Sequence, residues 1–192
     1  MYKPIKKLGQ NFLSDPDISY GMVSELEIAD NDVLIEIGPG LGFITDTIAK
    51  SIAGSNVDFY TVEIDSRFSS KLDASYLTYN NVFVVNQDIL DWLPTFSSDK
   101  DIKIIGSLPY YITSPILHSV IKMKKQPIRG VFLIQKEVAI KVSASAPDAS
   151  YLSSFIQAFY EVEYLEDIPR GKFKPVPKVD GGVIKLTKKP GE

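Results

Sequence analysis

Short apolar runs alternate with longer amphipathic stretches along this chain. V-L-I-E-I (33–37) is an apolar run closed by glycines, the pattern of a parallel strand covered on both faces. V-D-F-Y-T-V (57–62), V-F-V-V (82–85), I-K-I-I (102–105) and G-V-F-L-I-Q (130–135) repeat it. Between them, residues 43–52, S-R-F-S-S-K-L (66–72) and S-P-I-L-H-S-V-I-K-M (114–123) read as helices. An earlier helix follows Ser14, which can cap it; Pro16 suits its first turn, and Ile18, Met22, Val23 and Leu26 form its apolar stripe. Strand alternating with helix predicts βαβ units and a mostly parallel sheet covered on both faces. After a helix near 151–159, V-E-Y-L (162–165) and G-V-I-K-L (182–186) follow with no helix between them. That pair predicts an antiparallel hairpin at one edge of a seven-stranded sheet. K-F-K-P-V-P-K (172–178) reads as a proline-stiffened loop. No repeat or low-complexity linker divides the 192 residues, so a single α/β domain over 1–192 is expected.

Composition narrows the class. An apolar fraction of 44% and a charged fraction of 23% are those of an ordinary soluble protein. No apolar run reaches the roughly 18–20 residues of a membrane span. The start, M-Y-K-P-I-K-K-L-G-Q, lacks the apolar core of a secretory signal, so a cytoplasmic location is expected. The absence of cysteine excludes disulfides and thiolate ligands, and with one histidine no metal site is expected. Net charge is −3, but it is unevenly spread. Residues 1–13 hold three lysines and no acids, residues 14–101 a net of −12, and residues 102–192 a net of +6. Such asymmetry can build one basic face on an acidic molecule.

The candidate chemistry gathers at strand ends. The first long strand runs into E-I-G-P-G-L-G (36–42), where glycines let the backbone approach a ligand at the start of a helix. The third glycine comes one residue earlier than in a dinucleotide loop. Glu63 ends the next strand, where a carboxylate can accept hydrogen bonds from ribose hydroxyls; a solvated strand-end acid is the plainer reading. Asp88 ends the strand after that, where it can meet an adenine amino group or simply cap a helix. Gly38, Gly40, Glu63 and Asp88 thus face one crevice, at the carboxyl ends where open α/β sheets bind ligands. An adenosine derivative without pyrophosphate fits this set.

The following strand ends in Ser107-Leu108-Pro109-Tyr110, beside the same crevice. This stretch resembles the motif of methyltransferases acting on the amino groups of adenine or cytosine. G-S-L-P-Y-Y-I-T-S-P-I-L, with K-L-G-Q-N-F-L (7–13), E-I-G-P-G-L-G, Q-K-E-V (135–138) and F-K-P-V-P-K-V-D (173–180), is similar to the ribosomal RNA adenine dimethyltransferases of the KsgA family. The related Erm-type enzymes share the plan. The resemblance spans nearly the whole chain in order. It implies a Rossmann-like class I methyltransferase fold, with residues 1–30 as lid and first helix and 31–192 as the core. It implies S-adenosyl-L-methionine as cofactor and ribosomal RNA, in a small-subunit particle, as partner of a monomer. Asn11 and Leu13 would close over the cofactor, Gly38 and Gly40 line it, and Glu63 and Asp88 hold its ribose and adenine, with Ile64 and Ser107 adjoining. Tyr110 and Phe173 would sandwich an adenine drawn out of its stack. Lys7, Arg170, Lys172, Lys174 and Lys178 would face phosphates.

The resemblance also implies what Ser107 does. Its hydroxyl and the carbonyl of Leu108, held by Pro109, would accept the two protons of the adenine amine. The family usually carries Asn at this position. Serine can accept the same proton, but from roughly an ångström further back, and ~1 Å can cost ~100-fold in rate. An active enzyme and a catalytically weak RNA-binding assembly factor both fit; a nicotinamide-dependent oxidoreductase fits the glycine spacing poorly. Family members usually continue into a small helical domain that this sequence does not reach, so weak binding to isolated RNA fragments is expected. His118 reads as a packed residue, Trp92 as cover for the sheet edge, and Glu161 and Glu163 as solvent-facing.

Overall fold

A computed structural model describes residues 10–145 and 147–191. A short strand β1 (Phe12–Leu13) precedes helix α1 (Pro16–Ser24). Then follow β2 (Val33–Ile37), α2 (Phe43–Ser51), β3 (Asp58–Val62), α3 (Ser66–Tyr76), β4 (Val82–Val85) and the single-turn α4 (Ile89–Trp92). Next come β5 (Ile102–Ser107), α5 (Thr113–Ile121), β6 (Arg129–Gln135) and α6 (Lys136–Ser143). The chain closes with α7 (Tyr151–Gln157), β7 (Tyr160–Ile168), β8 (Phe173–Lys174) and β9 (Gly181–Lys188).

Seven strands form one sheet in the order β4-β3-β2-β5-β6-β9-β7. Strands β2 to β6 pair in parallel, and β9 runs antiparallel between β6 and β7, which makes the expected edge hairpin. The order reverses between β2 and β5. The chain builds outward through β3 and β4, then returns to the middle and builds the other way. The loops after β2 and β5 therefore diverge and leave a crevice at the carboxyl ends of the strands.

Period-two alternation divides the core between the two faces. Val33, Ile35 and Ile37 of β2 pack with Ile116 and Leu117 of α5 and Ile156 of α7. Leu34 packs on the opposite face with Met22 and Leu26 near α1 and Ile44 and Ile48 of α2. With both faces covered, every residue of β2 is buried, Glu36 included. No helix among the described residues is long and apolar enough to cross a membrane.

The structure departs from the sequence reading in two places and adds one helix to it. Asp15, and not Ser14, caps α1: its carboxylate accepts from Asp17 N at 3.0 Å, while the Ser14 hydroxyl donates to Lys172 O at 2.8 Å. A carboxylate there also meets the positive end of the helix dipole. Q-K-E-V, given no helix from sequence, divides between β6 and α6: Gln135 closes the strand and Lys136 opens the helix with no intervening loop. The expected loop at 172–178 begins as β8, whose residues pair antiparallel as Phe12↔Lys174 and Leu13↔Phe173. Pro175 and Pro177 lie just beyond that ribbon, so they limit its length without preventing it.

At the edge opposite the crevice, Lys103 Nζ meets Asp32 Oδ2 at 2.7 Å, each side chain 6% exposed. Asp32 also accepts from Ala29 N at 2.7 Å, and Lys103 donates to the Glu27 carbonyl. Removing one partner strands the other as an uncompensated buried charge. Asp32→Ala is expected to lower the unfolding free energy by about 3–5 kcal/mol in a urea titration. A loss below about 1 kcal/mol would show that water reaches the ammonium group.

Candidate active site

The loop after β2 is shaped for close approach. Gly38 and Gly40 have φ of 64° and 54°, a region that L side chains avoid. A Cβ on Gly40 would stand 2.7 Å from the Phe12 ring, so glycine lets the β1–β8 ribbon rest on this loop. A Cβ on Gly38 would meet nothing within 4 Å, because that residue opens onto the crevice.

Glu63 follows β3 and is fixed by backbone. Its Oε2 accepts from Gly40 N at 3.0 Å and its Oε1 from Asp65 N at 2.8 Å. Each oxygen keeps a lone pair for a ligand. Burial pushes its carboxyl above the ordinary range, against the pull of the two N–H groups. Two residues on, the Arg67 guanidinium holds Asp65 down at about 2, helped by Gln10, whose amide donates at 2.8 Å. Asp88 serves both readings given to it. Its Oδ1 caps α4 by accepting from Leu90 N at 2.9 Å, and the residue lines the crevice.

The turn after β5 is pinned on two sides. Leu108 N donates to Leu133 O at 2.9 Å, and Pro109 O accepts from Ile112 N at 3.2 Å and Thr113 Oγ1 at 3.1 Å. Ser107, Leu108, Pro109 and Tyr110 thereby line a crevice of about 170 Å³ shared with Asn11, Gly38, Gly40, Glu63, Ile64, Asp88 and Phe173. Leu13 stands apart: it is buried in the core and borders a smaller neighbouring cavity. The two aromatic residues differ. Tyr110 is half-buried, with a buried hydroxyl that has no partner among the described residues, whereas Phe173 is 2% exposed and forms wall and core at once.

The basic residues are only partly available. Lys172 pairs with Asp15 at 2.6 Å, and Arg170 donates to Lys178 O at 3.1 Å; Lys174 and Lys178 are exposed. Lys7 lies outside the described residues. Trp92 packs with Tyr60 and Phe96 at centroid distances of 5.9 and 4.7 Å, away from the crevice lining. His118 stacks on Phe155 at 4.8 Å. The crevice also draws in residues the sequence reading left out, among them Phe12, Gln87, Leu90 and Tyr111. Phe12, Gln87 and Tyr111 each sit next to residues that were singled out; what Phe12 does there shows only through its pairing with Lys174.

Comparison with known proteins agrees with this geometry. Residues 2–192 match the family described as ribosomal RNA adenine dimethylase. The chain belongs to that family. It is 40% identical over 194 residues to the ribosomal RNA small subunit methyltransferase A of Bacillus mycoides (strain KBAB4), covering 96% of this chain. The same figures hold for the protein of that name from Bacillus anthracis (strain A0248). The chain spans 65% of the length of these curated relatives. Among solved structures, the 23S rRNA methyltransferase ErmE superposes with a TM-score of 0.82 at 28% identity, over 93% of this chain and 70% of its own. A dimethyladenosine transferase from Plasmodium falciparum gives 0.80 and 28%, over 93% and 63%. A SAM-dependent O-methyltransferase from Thermotoga maritima, at 16% identity and 0.64 over 97% of this chain and 70% of its own, shares the fold alone. The fold is that of the class I methyltransferases, as the sequence resemblance implied.

Glu36 of the glycine-loop motif is 1% exposed. Thr45 and Thr61 donate to its Oε2 at 2.7 and 3.1 Å, and its Oε1 has no partner among the described residues. Burial lifts its carboxyl from 4.5 to about 7. The native state thus holds this proton where the unfolded chain has released it. Stability from Glu36 is complete below pH 4.5 and is lost as pH rises to 7, by up to about 3 kcal/mol. Glu36→Gln is expected to flatten that decline in urea midpoints measured from pH 4.5 to 8. An unchanged slope would place the proton elsewhere.

Proposed function

We propose that this chain transfers methyl groups from S-adenosyl-L-methionine to the N6 amino group of adenines in small-subunit ribosomal RNA. The observation that carries the reading is the meeting of Ser107-Leu108-Pro109-Tyr110 with Glu63 and Asp88 in one crevice at the β2/β5 reversal. Membership of the family and the names of its relatives support the same reaction.

The crevice fits the cofactor in three respects. Gly38 leaves its floor open, Glu63 offers two fixed oxygens to a ribose, and Ile64, Ile89 and Leu90 give an apolar lining beside Asp88. The bound cofactor supplies an electrophilic methyl group on its sulfonium. The chain's own residues prepare the acceptor. An adenine amine is a poor nucleophile because its lone pair is delocalised into the ring. Ser107 Oγ and the Leu108 carbonyl accept its two N–H bonds, favour a pyramidal nitrogen and free the lone pair. Position and charge complementarity then lower the barrier, and the surplus proton on nitrogen passes to water once the N–C bond has formed, with no strong base required. Tyr110 stacks on the base from the mouth of the crevice, and Phe173 bounds it from the β1–β8 side. Lys174, Lys178 and Arg170 meet phosphates, which orient the RNA without reading its sequence. The protein acts as a cytoplasmic monomer on a small-subunit particle.

Transfer of radiolabelled methyl to unmethylated small ribosomal subunits tests this. The parent is expected to transfer, Glu63→Ala to lose about 100-fold in kcat/KM, and Ser107→Ala about tenfold in kcat. A silent parent beside an active Ser107→Asn would make the chain a binding factor on an enzyme's scaffold, the reading that serine in place of the family's asparagine favours.

A further inference from the structure

Ser107 borders two spaces. One is the crevice; the other is a cavity of about 40 Å³ beside it, lined also by Asn11, Gly38 and Glu36. The second space is large enough for a water molecule. Glu36 lines it, and that residue has one buried carboxyl oxygen, Oε1, that no described group satisfies.

A serine at position 107 raises a problem that asparagine does not. An amide carbonyl is always an acceptor. A hydroxyl carries a proton of its own that rotates among several positions, and its lone pair is held toward an incoming N–H only as firmly as that proton is held elsewhere. Without a fixed acceptor for the proton, the serine samples orientations that do not serve the amine. Glu36 lines the same small cavity as Ser107 and carries an unsatisfied carboxyl oxygen. We propose that Glu36 is a positioning residue for the methyl acceptor: through one water in the small cavity, its Oε1 takes up the Ser107 hydroxyl proton's hydrogen bond and so turns a serine lone pair toward the amine. This rests on the reaction proposed above.

The device responds to pH. When ionised, Glu36 can only accept, and Ser107 faces the amine as an acceptor. When protonated, Glu36 can donate through that water and reverse the direction of Ser107. The groups facing Glu36 are the hydroxyls of Thr45 and Thr61, which favour ionisation, and the carboxylates of Glu63 and Asp46, which oppose it. Tyr76 is also near, its phenol donating to Asp46. Burial outweighs the hydroxyls and sets the midpoint at about 7.

Two measurements test the link. In protein carrying ¹³C-labelled glutamate carboxyls, the Glu36 signal is followed from pH 5 to 9, with and without Ser107→Ala. Loss of the hydroxyl is expected to move its midpoint upward, because the ionised form loses a donor; an unmoved midpoint overturns the proposal. Separately, kcat for methyl transfer is measured at saturating cofactor and ribosomal subunit. The parent is expected to rise about tenfold from pH 6 to 8, following ionisation of one group near 7. Ser107→Asn is expected to be flat over the same range. A rise that survives in Ser107→Asn overturns the proposal. If no form transfers methyl, the reaction reading falls, and the carboxyl titration alone decides whether Glu36 and Ser107 are coupled.

Discussion

The hydrogen-bonded ladder between β2 and β5 is the constraint on which the rest of the site depends. It sets Ile37 opposite Gly106, so Gly38 and Ser107 leave the sheet side by side. The approach is close: a Cβ on Gly106 would lie 2.7 Å from the Ile37 carbonyl oxygen. Any larger residue there would push the two strands apart just below the crevice. The strands beyond β2 then deliver Glu63 and Asp88, and those beyond β5 deliver Leu133, whose carbonyl holds the Leu108 turn. Placement of the reacting groups is therefore a property of the sheet and owes little to loop flexibility.

Around that ladder three carboxylates occupy graded environments. Asp65, paired with a guanidinium at the rim, stays strongly acidic. Glu63, buried but held by two backbone N–H groups, is raised. Glu36, buried with hydroxyl donors on one oxygen only, is raised to about 7. The same chemical group spans roughly five pH units between Asp65 and Glu36, on neighbouring strand ends of one sheet. The order follows from what each has in place of water: a cation, two fixed dipoles, or two hydroxyls on a single oxygen.

The fold was legible in the sequence because both its periods are strong. The runs at 33–37, 102–105 and 130–135 have no polar face to confuse them with helices, and Gly38, Gly40 and Gly42 mark where the first one stops. Glu63, Asp88 and Ser107 were legible for the same reason, since each ends a run that could be located. What escaped was non-local. The pairing of Phe12 with Lys174 joins residues far apart in sequence and leaves no periodic trace in two-residue strands. The Asp15 cap was obscured because Ser14 is an equally good candidate on its own; the backbone of Lys172 decides between them. Phe173 looked like a loop aromatic, and only the ribbon shows it as part of the core.

That ribbon has a mechanical consequence. One of its strands comes from the segment that rests on the glycine loop through Phe12, the other from the loop carrying Lys174 and Lys178. Ser14 and Asp15 add further ties to Lys172. The segment over the glycine loop and the loop carrying Lys174 and Lys178 are thus joined in one antiparallel ribbon. On the proposed function, occupancy at either end stiffens a shared piece of backbone, so each ligand finds part of the ordering already done by the other. The factor by which each ligand strengthens the other is then one shared coupling free energy, the same whichever binds first.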